Sequence, residues 1–302
     1  NGTSKRQVRI IGEHIGAELA DRPMDVGRDA ALLFCGSADD LPLSAGLLDG
    51  VFTDPPYFDN VQYAELIDFC YVWLRLALGP TLPQFHRDST RAARELTGNV
   101  TLGRGIEHFT QGLSDIFAHL ASALRPGAPF VFTYHHNDAS AYAPLVVAIL
   151  DAGMDCTATL PAPAEMSASL HIAGTSSSIL DSVFVCRVSP TQIETRGIES
   201  LLEADIVAMR RAGVRVSIGD IRCLAAGHTA RIVINRLRPS WDVTLPLATR
   251  LGAVRFLATE VNNEFHIDNL VKRMSGGPVR SNAEPSRASR REQMPLLPQQ
   301  GE

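Results

Sequence analysis

The sequence predicts an α/β domain: a mostly parallel sheet with helices on both faces and one antiparallel edge strand. Three observations predict it. Short apolar runs closed by Gly, Pro or Asp alternate with longer helical patterns, the last two runs are joined without a helix, and polar, chemistry-bearing residues follow directly after two of the runs.

The elements follow in order. Residues 5–21 read as a polar lead-in, and the start at Asn1 reads as a fragment or processed chain. Residues 32–34 form a first buried strand, bounded by Cys35-Gly36-Ser37, and residues 51–53 a second, ending in Asp54-Pro55-Pro56-Tyr57. Asp59 with Gln62 three positions on resembles a capping pair. The stretch from there to residue 78 is rich in Leu, Ile, Phe, Tyr and Trp, which predicts a helix apolar on most faces and therefore mostly buried. Residues 80–105 mix Pro, Gly and charge with weak periodicity and read as a long surface loop or mobile segment. A helix over 106–124, a turn at Arg125-Pro126-Gly127, a strand over 129–134 running into His135-His136-Asn137-Asp138, a helix over 141–152 and strands over 155–160 and 179–187 complete the pattern. Beyond residue 190 the texture changes to a helix over 193–212, a short strand over 214–218 and a mixed region reaching about residue 274. Residues 275–302, rich in Ser, Pro, Arg and Gln, read as a disordered tail. The division is thus 1–190, 191–274 and 275–302.

With 302 residues, 45% of them hydrophobic and 20% charged, the chain is long and apolar enough to bury a sizeable core. Its net charge of −5 means that a nucleic-acid partner has to be held by a local basic face. The five cysteines form no CxxC pair, which argues against a zinc site and a disulfide framework and points to a reducing compartment. Neither a spanning apolar stretch nor a signal-peptide core is visible, so the expectation is a cytoplasmic chain with no membrane partner.

In open sheets ligands bind at the carboxyl ends of the strands, where both Asp54–Tyr57 and the 135–138 segment fall. Asp-Pro-Pro-aromatic after a buried strand is the strongest signal in the chain. It resembles the motif of the amino-methyltransferases that use S-adenosylmethionine to methylate exocyclic amines of DNA, [DNS]PP[YFW] at the end of the fourth strand of a seven-stranded sheet. The blocks FTDPPYFDNVQYAELIDFCYVWLR, VFTYHHND and EMSASLHIAGTSSSILDSVFVCR extend the resemblance over roughly residues 32–187. They are similar to a prokaryotic group of adenine-specific DNA methylases, often carrying a zinc ribbon and linked to restriction-modification or phage-defence clusters. The ribbon is not in this sequence.

The resemblance implies a Rossmann-like class I methyltransferase sheet, incomplete at the N-terminus, with an α-rich C-terminal extension. It also implies S-adenosylmethionine as cofactor, and DNA, with further subunits of a modification or defence system, as partners. An aromatic amine is a poor nucleophile because its lone pair is delocalised into the ring. A carboxylate and a carbonyl fixed by the stiff Pro-Pro unit accept hydrogen bonds from the amine and localise that pair, while an aromatic ring stacks on the flipped-out base. Asp54, Pro55, Pro56 and Tyr57 are thereby the catalytic candidates. Gly36, Ser37 and Asp39 are the candidates for the cofactor's adenosine, although the same segment fits a turn capped by Ser or Asp. Tyr57, Asn60, Tyr63, His135, His136 and Asn137 are candidates to line the base site, with helix capping a competing role for the residues after Tyr57. Adjacent histidines on a strand point to opposite faces, and no third ligand is spaced to join them, so no metal site is expected.

The resemblance implies N6 of adenine as the acceptor, since relatives that methylate N4 of cytosine more often carry Ser at the position of Asp54, with N4 of cytosine, RNA or a protein glutamine as neighbouring acceptors. One departure from the family stands out: no DPFxGxG-type loop for the methionine moiety of the cofactor is present. That gap keeps open a second class of function, a non-catalytic DNA-binding or assembly subunit.

Overall fold

The computed structural model describes residues 5–10, 13–18, 36–58, 62–99, 103–164, 178–190, 194 and 196–275. The expected strand over 32–34, Asn60 and the tail beyond residue 275 lie outside the described residues. The expected polar lead-in contains a hairpin instead: β1 (Lys5–Ile10) pairs antiparallel with β2 (Glu13–Glu18), with Ile10 opposite Glu13.

The main sheet has four strands in the order β3-β4-β6-β5, formed by β3 (Val51–Thr53), β4 (Phe130–Tyr134), β5 (Met154–Pro163) and β6 (Leu180–Val188). β3 and β4 are parallel, with Thr53 opposite Phe132, and β6 runs antiparallel to both β4 and β5. Three strands thus share one direction. The reversed strand is not at the edge, as expected, but lies between β4 and β5. There β6 is hydrogen-bonded to a neighbour on each side, where an edge position would leave one side unpaired.

Seven helices surround this sheet among the described residues: α1 (Tyr63–Leu78), α2 (Ile106–Ser122), α3 (Tyr142–Asp151), α4 (Ile198–Arg211), α5 (Ile218–Leu237), α6 (Leu247–Glu264) and α7 (Ile267–Ser275). α2 follows from helical spacing, since Phe109, Leu113, Phe117 and Leu120 all fall on its buried stripe. The Phe117 ring lies 4.8 Å from Phe130 and 5.3 Å from Phe132, and Phe132 stacks on Phe184 at 5.1 Å. α3 is apolar all round and is buried along its length from Tyr142 to Leu150, between α2 and the C-terminal helices. Gly153, at φ 73°, turns the chain from α3 into β5 in a conformation that L side chains resist.

Expected helices on both faces are not what the described residues form. α2, α3 and α5 all contact the face bearing Phe130, Phe132, Ser182 and Phe184. The opposite face, with Phe52, Val131, Val183 and Leu160, is half-buried or exposed. α5 comes so close to the sheet that a Cβ at Gly227 would collide with the Ser182 side chain. α5 and α6 place Val233, Ile234, Leu251 and Val254 in the same core as Phe130 and Phe132. The expected short strand over 214–218 is absent: Val214, Val216 and Ile218 pack instead against a second apolar cluster around Ile206, Ile221 and Leu270.

α1 departs most from expectation. Its composition predicts burial, yet Phe69 is 76% exposed, Trp73 66% and Leu76 71%, while only Ala64 and Tyr71 are buried. The stripe Ala64, Asp68, Tyr71, Arg75 has helical spacing and meets the segment that follows the helix among the described residues. Tyr71 Oη donates to the Arg87 carbonyl at 2.9 Å, Asp68 accepts from Ser89 Oγ and Thr90 N–H at 2.7 Å each, and Arg75 pairs with Asp88 at 2.7 Å. These contacts hold the segment expected to be mobile. Glu95 secures it further, accepting from Ala64 N–H at 3.0 Å and from Arg104 at 3.1 Å.

Candidate active site

Parallel pairing of β3 with β4 brings the two strand ends side by side. Asp54 follows Thr53 directly, and Thr133 lies one residue beyond Phe132, the partner of Thr53, so the two polar groups meet. Thr133 Oγ1 donates to Asp54 Oδ1, and Tyr57 Oη donates to the same oxygen at 3.1 Å while lying 3.4 Å from Thr133 Oγ1. Oδ1 is thereby oriented by two hydroxyls. Asp54 Oδ2 makes no hydrogen bond among the described residues and is free to accept one from a ligand. Pro55 is buried and Pro56 half-buried; with φ fixed and no N–H to satisfy, the pair sets the carboxylate rigidly at the strand end.

The Tyr57 ring packs against Tyr134 with centroids 5.1 Å apart. Burial, followed by the charges of Asp181 and Asp54, holds its phenol well above the usual tyrosine range, against the Thr133 contact, so it remains a neutral donor. Tyr63, at the start of α1, is raised in the same way by burial and by the Asp54 charge, which places it at the same mouth.

His135 and His136 diverge, as alternation on a strand requires. His135 Nδ1 donates to the Leu180 carbonyl at 3.1 Å and lies 3.7 Å from Asp181 Oδ1 and 3.6 Å from Cys223 Sγ. Burial alone would lower its pKa. The Cys223 sulfur, the Leu180 carbonyl and the Asp181 carboxylate outweigh that and raise it to about 9. Cys223 itself is 2% exposed, so no substrate reaches its sulfur and the cluster acts by holding the imidazole. A raised histidine pKa stabilises the fold below the unfolded value near 6.5 and loses that contribution as pH rises through about 9. The expected loss between pH 6 and 10 is on the order of 1–3 kcal/mol. Urea unfolding at the two pH values measures it, and His135→Gln is expected to flatten the difference.

His136 and Asn137 turn the other way and line a cavity of about 860 Å³ between the end of β4 and helices α3, α5, α6 and α7. The structure therefore divides the expected base-site residues. Tyr57 and Tyr63 are beside Asp54, His135 is tied to β6, and His136 and Asn137 open onto the helical side.

Gly36 and Ser37 are exposed, ahead of a 3-10 turn at Ala38–Asp40. Ser37 Oγ donates to Asp39 Oδ1, and Arg94 pairs with both Asp39 and Asp40. The Ser37 hydroxyl and then Arg94 hold the Asp39 carboxyl below its ordinary value. Both carboxylate oxygens of Asp39 are thus engaged, Oδ1 by Ser37 and Oδ2 by Arg94. The turns after β3 and β4 read Asp-Pro-Pro-Tyr and His-His-Asn-Asp, and no described strand runs through a glycine-rich turn into a helix, so the described residues show no glycine cradle of the kind expected for the methionine moiety of S-adenosylmethionine.

Sequence reasoning missed Thr133, Asp181, Cys223 and Arg94. Thr133 carried a signal, a half-buried hydroxyl at the carboxyl end of an otherwise apolar strand; the other three are brought in by pairings that no local pattern encodes. Among the described residues no three His, Cys, Asp or Glu side chains are grouped to hold a metal, and no helix is long and apolar enough to cross a membrane. Comparison with protein-family models, curated proteins and solved structures finds no match to this chain.

Proposed function

We propose that this chain methylates the exocyclic amine of a flipped DNA base, N6 of adenine in the first instance, with S-adenosylmethionine as donor. One observation carries the reading: a carboxylate at a parallel strand end has one oxygen fixed by Thr133 and Tyr57 and the other open to a ligand. That arrangement suits an amine acceptor. An N–H donated to Asp54 Oδ2 and a second to the Pro55 carbonyl draw the nitrogen toward tetrahedral geometry, so that its lone pair is held out of the ring. The Tyr57 ring, braced by Tyr134, is the surface against which the base lies. The donor, when bound, supplies the electrophilic methyl group.

The finer fold reading belongs to the same proposal. Three co-directed strands, two of them, β3 and β4, with polar groups at their carboxyl ends, support a Rossmann-like class I methyltransferase sheet. DNA as partner, a cytoplasmic setting and a place in a modification or defence system follow from the reading. The lack of a glycine-rich turn among the described residues favours a second reading, a subunit that completes its donor site with a partner.

Transfer of tritium from labelled S-adenosylmethionine tests the proposal, using the protein in its natural full-length form and duplexes with or without adenine. Label in adenine-containing DNA alone is expected. Donor binding by calorimetry without transfer to any base overturns the reading, and neither binding nor transfer until a partner is added moves it to the subunit.

A further inference from the structure

The cavity onto which His136 and Asn137 open has a construction of its own. α5 presents Arg222, Ala226, Thr229 and Val233 along one face, and α6 presents Arg255, Ala258, Thr259 and Asn262 along the face opposite. Small side chains, Ala225, Ala226, Ala230 and Ala258, form the floor, which is why a cleft of about 860 Å³ remains between packed helices. Thr229 Oγ1 donates to Asn262 Oδ1 at 3.4 Å and ties the two helices together.

Three cations line this cleft, Arg222, Arg255 and Lys272, against one carboxylate, Asp268. All three are exposed, and the side chain of none of them makes a hydrogen bond or ion pair among the described residues. Several surface arginines outside the cleft, Arg94, Arg125, Arg236 and Arg273, each bind a carboxylate instead. In a protein of net charge −5, unpaired cations around a concave cleft that also carries Thr and Asn side chains are a local basic face. Arg255 and Asn262 are seven residues apart, about 10 Å along α6, so the cleft presents donors over the length of a short strand segment. Its rim residue Asn137 is joined along the chain to Thr133, the hydrogen-bond partner of Asp54. Asn137 is four residues beyond Thr133, a chain length of at most about 14 Å.

We propose that this cleft binds the phosphodiester backbone of DNA, with Arg222, Arg255 and Lys272 on phosphates, and so presents the strand whose base reaches Asp54. The choice of DNA among polyanions rests on the proposed function; the cleft and its charges do not. The residues contributed by α5, α6 and α7 then have a role that no motif in the sequence indicates.

Fluorescence anisotropy of a labelled duplex and of one of its single strands, titrated at several salt concentrations, tests this. The triple substitution Arg222→Gln, Arg255→Gln, Lys272→Gln is expected to weaken binding at least about tenfold, equally for unrelated sequences. It is also expected to lower the slope of log K against log salt by about one for each phosphate no longer neutralised. A second triple, Arg210→Gln, Arg211→Gln, Arg215→Gln, removes equal charge from exposed positions around the end of α4, away from the cleft, and is expected to leave the slope unchanged. An unchanged slope in the first triple, or equal losses in both, overturns the proposal, as does failure of the wild type to bind either DNA at low salt. Methyl transfer read in the same samples separates the two proposals: cleft-dependent binding without transfer discards the role of Asp54 and retains the cleft, and transfer without cleft-dependent binding does the reverse.

Discussion

Asp54→Ala is expected to lower methyl transfer by about 100- to 1000-fold, the range for losing one preorganised polar partner of a reacting group. The fold should not change with it, because Asp54 is exposed and its removal leaves Thr133 and Tyr57 hydroxyls that still face each other at 3.4 Å. Single-turnover transfer with labelled donor, beside a urea melt, reads the two effects separately. Asp54→Asn keeps one accepting oxygen and is expected to retain more activity than the alanine variant. Equal rates for wild type and Asp54→Ala would remove the carboxylate from the mechanism.

Asp220→Ala is expected to cost about 3–5 kcal/mol, a large share of the 5–15 kcal/mol that holds a typical domain. Asp220 is fully buried at the third position of α5. Its Oδ1 accepts from Ser178 Oγ at 2.8 Å, Ile179 N–H at 2.6 Å and Leu180 N–H at 3.1 Å, and its Oδ2 accepts from Ser217 N–H at 2.7 Å. One carboxylate therefore caps a helix and anchors the start of the central strand β6. Alanine would leave the Ile179 and Ser217 N–H groups without an acceptor and Leu180 N–H with Ser178 Oγ alone, at 3.1 Å. Ser217→Ala, which removes only the reciprocal half of the capping box, is expected to cost about 1 kcal/mol. Urea midpoints of the two variants measure the contrast, and similar small shifts in both would show that Asp220 acts as a cap alone. Because the Leu180 carbonyl also receives the His135 ring, the larger loss should reach the strand end as well.

α2, β4, α3 and β6 were legible because each has a local cause. Phe109, Leu113, Phe117 and Leu120 repeat at helical spacing, Phe130, Phe132 and Tyr134 alternate, and Gly127 and Gly153 break the chain where it turns. The Asp54–Tyr57 motif was legible for the same reason, since two prolines after a short strand dictate where the carboxylate stands. α1 was not. Its apolar circumference encodes a demand for partners, and composition alone does not say whether Phe69 and Trp73 find them.

By itself, then, the sequence determined the α/β class, most strand and helix positions and the residue at the head of the candidate site, because periodicity and chain stiffness act over a few residues. Only the tertiary structure decided that β6 lies inside the sheet, that Thr133 orients Asp54 from 79 residues away, that Asp220 joins α5 to β6, and that three unpaired cations share one cleft. Each of those depends on which surfaces meet when the core closes, and that is settled by burial and hydrogen-bond satisfaction over the whole chain.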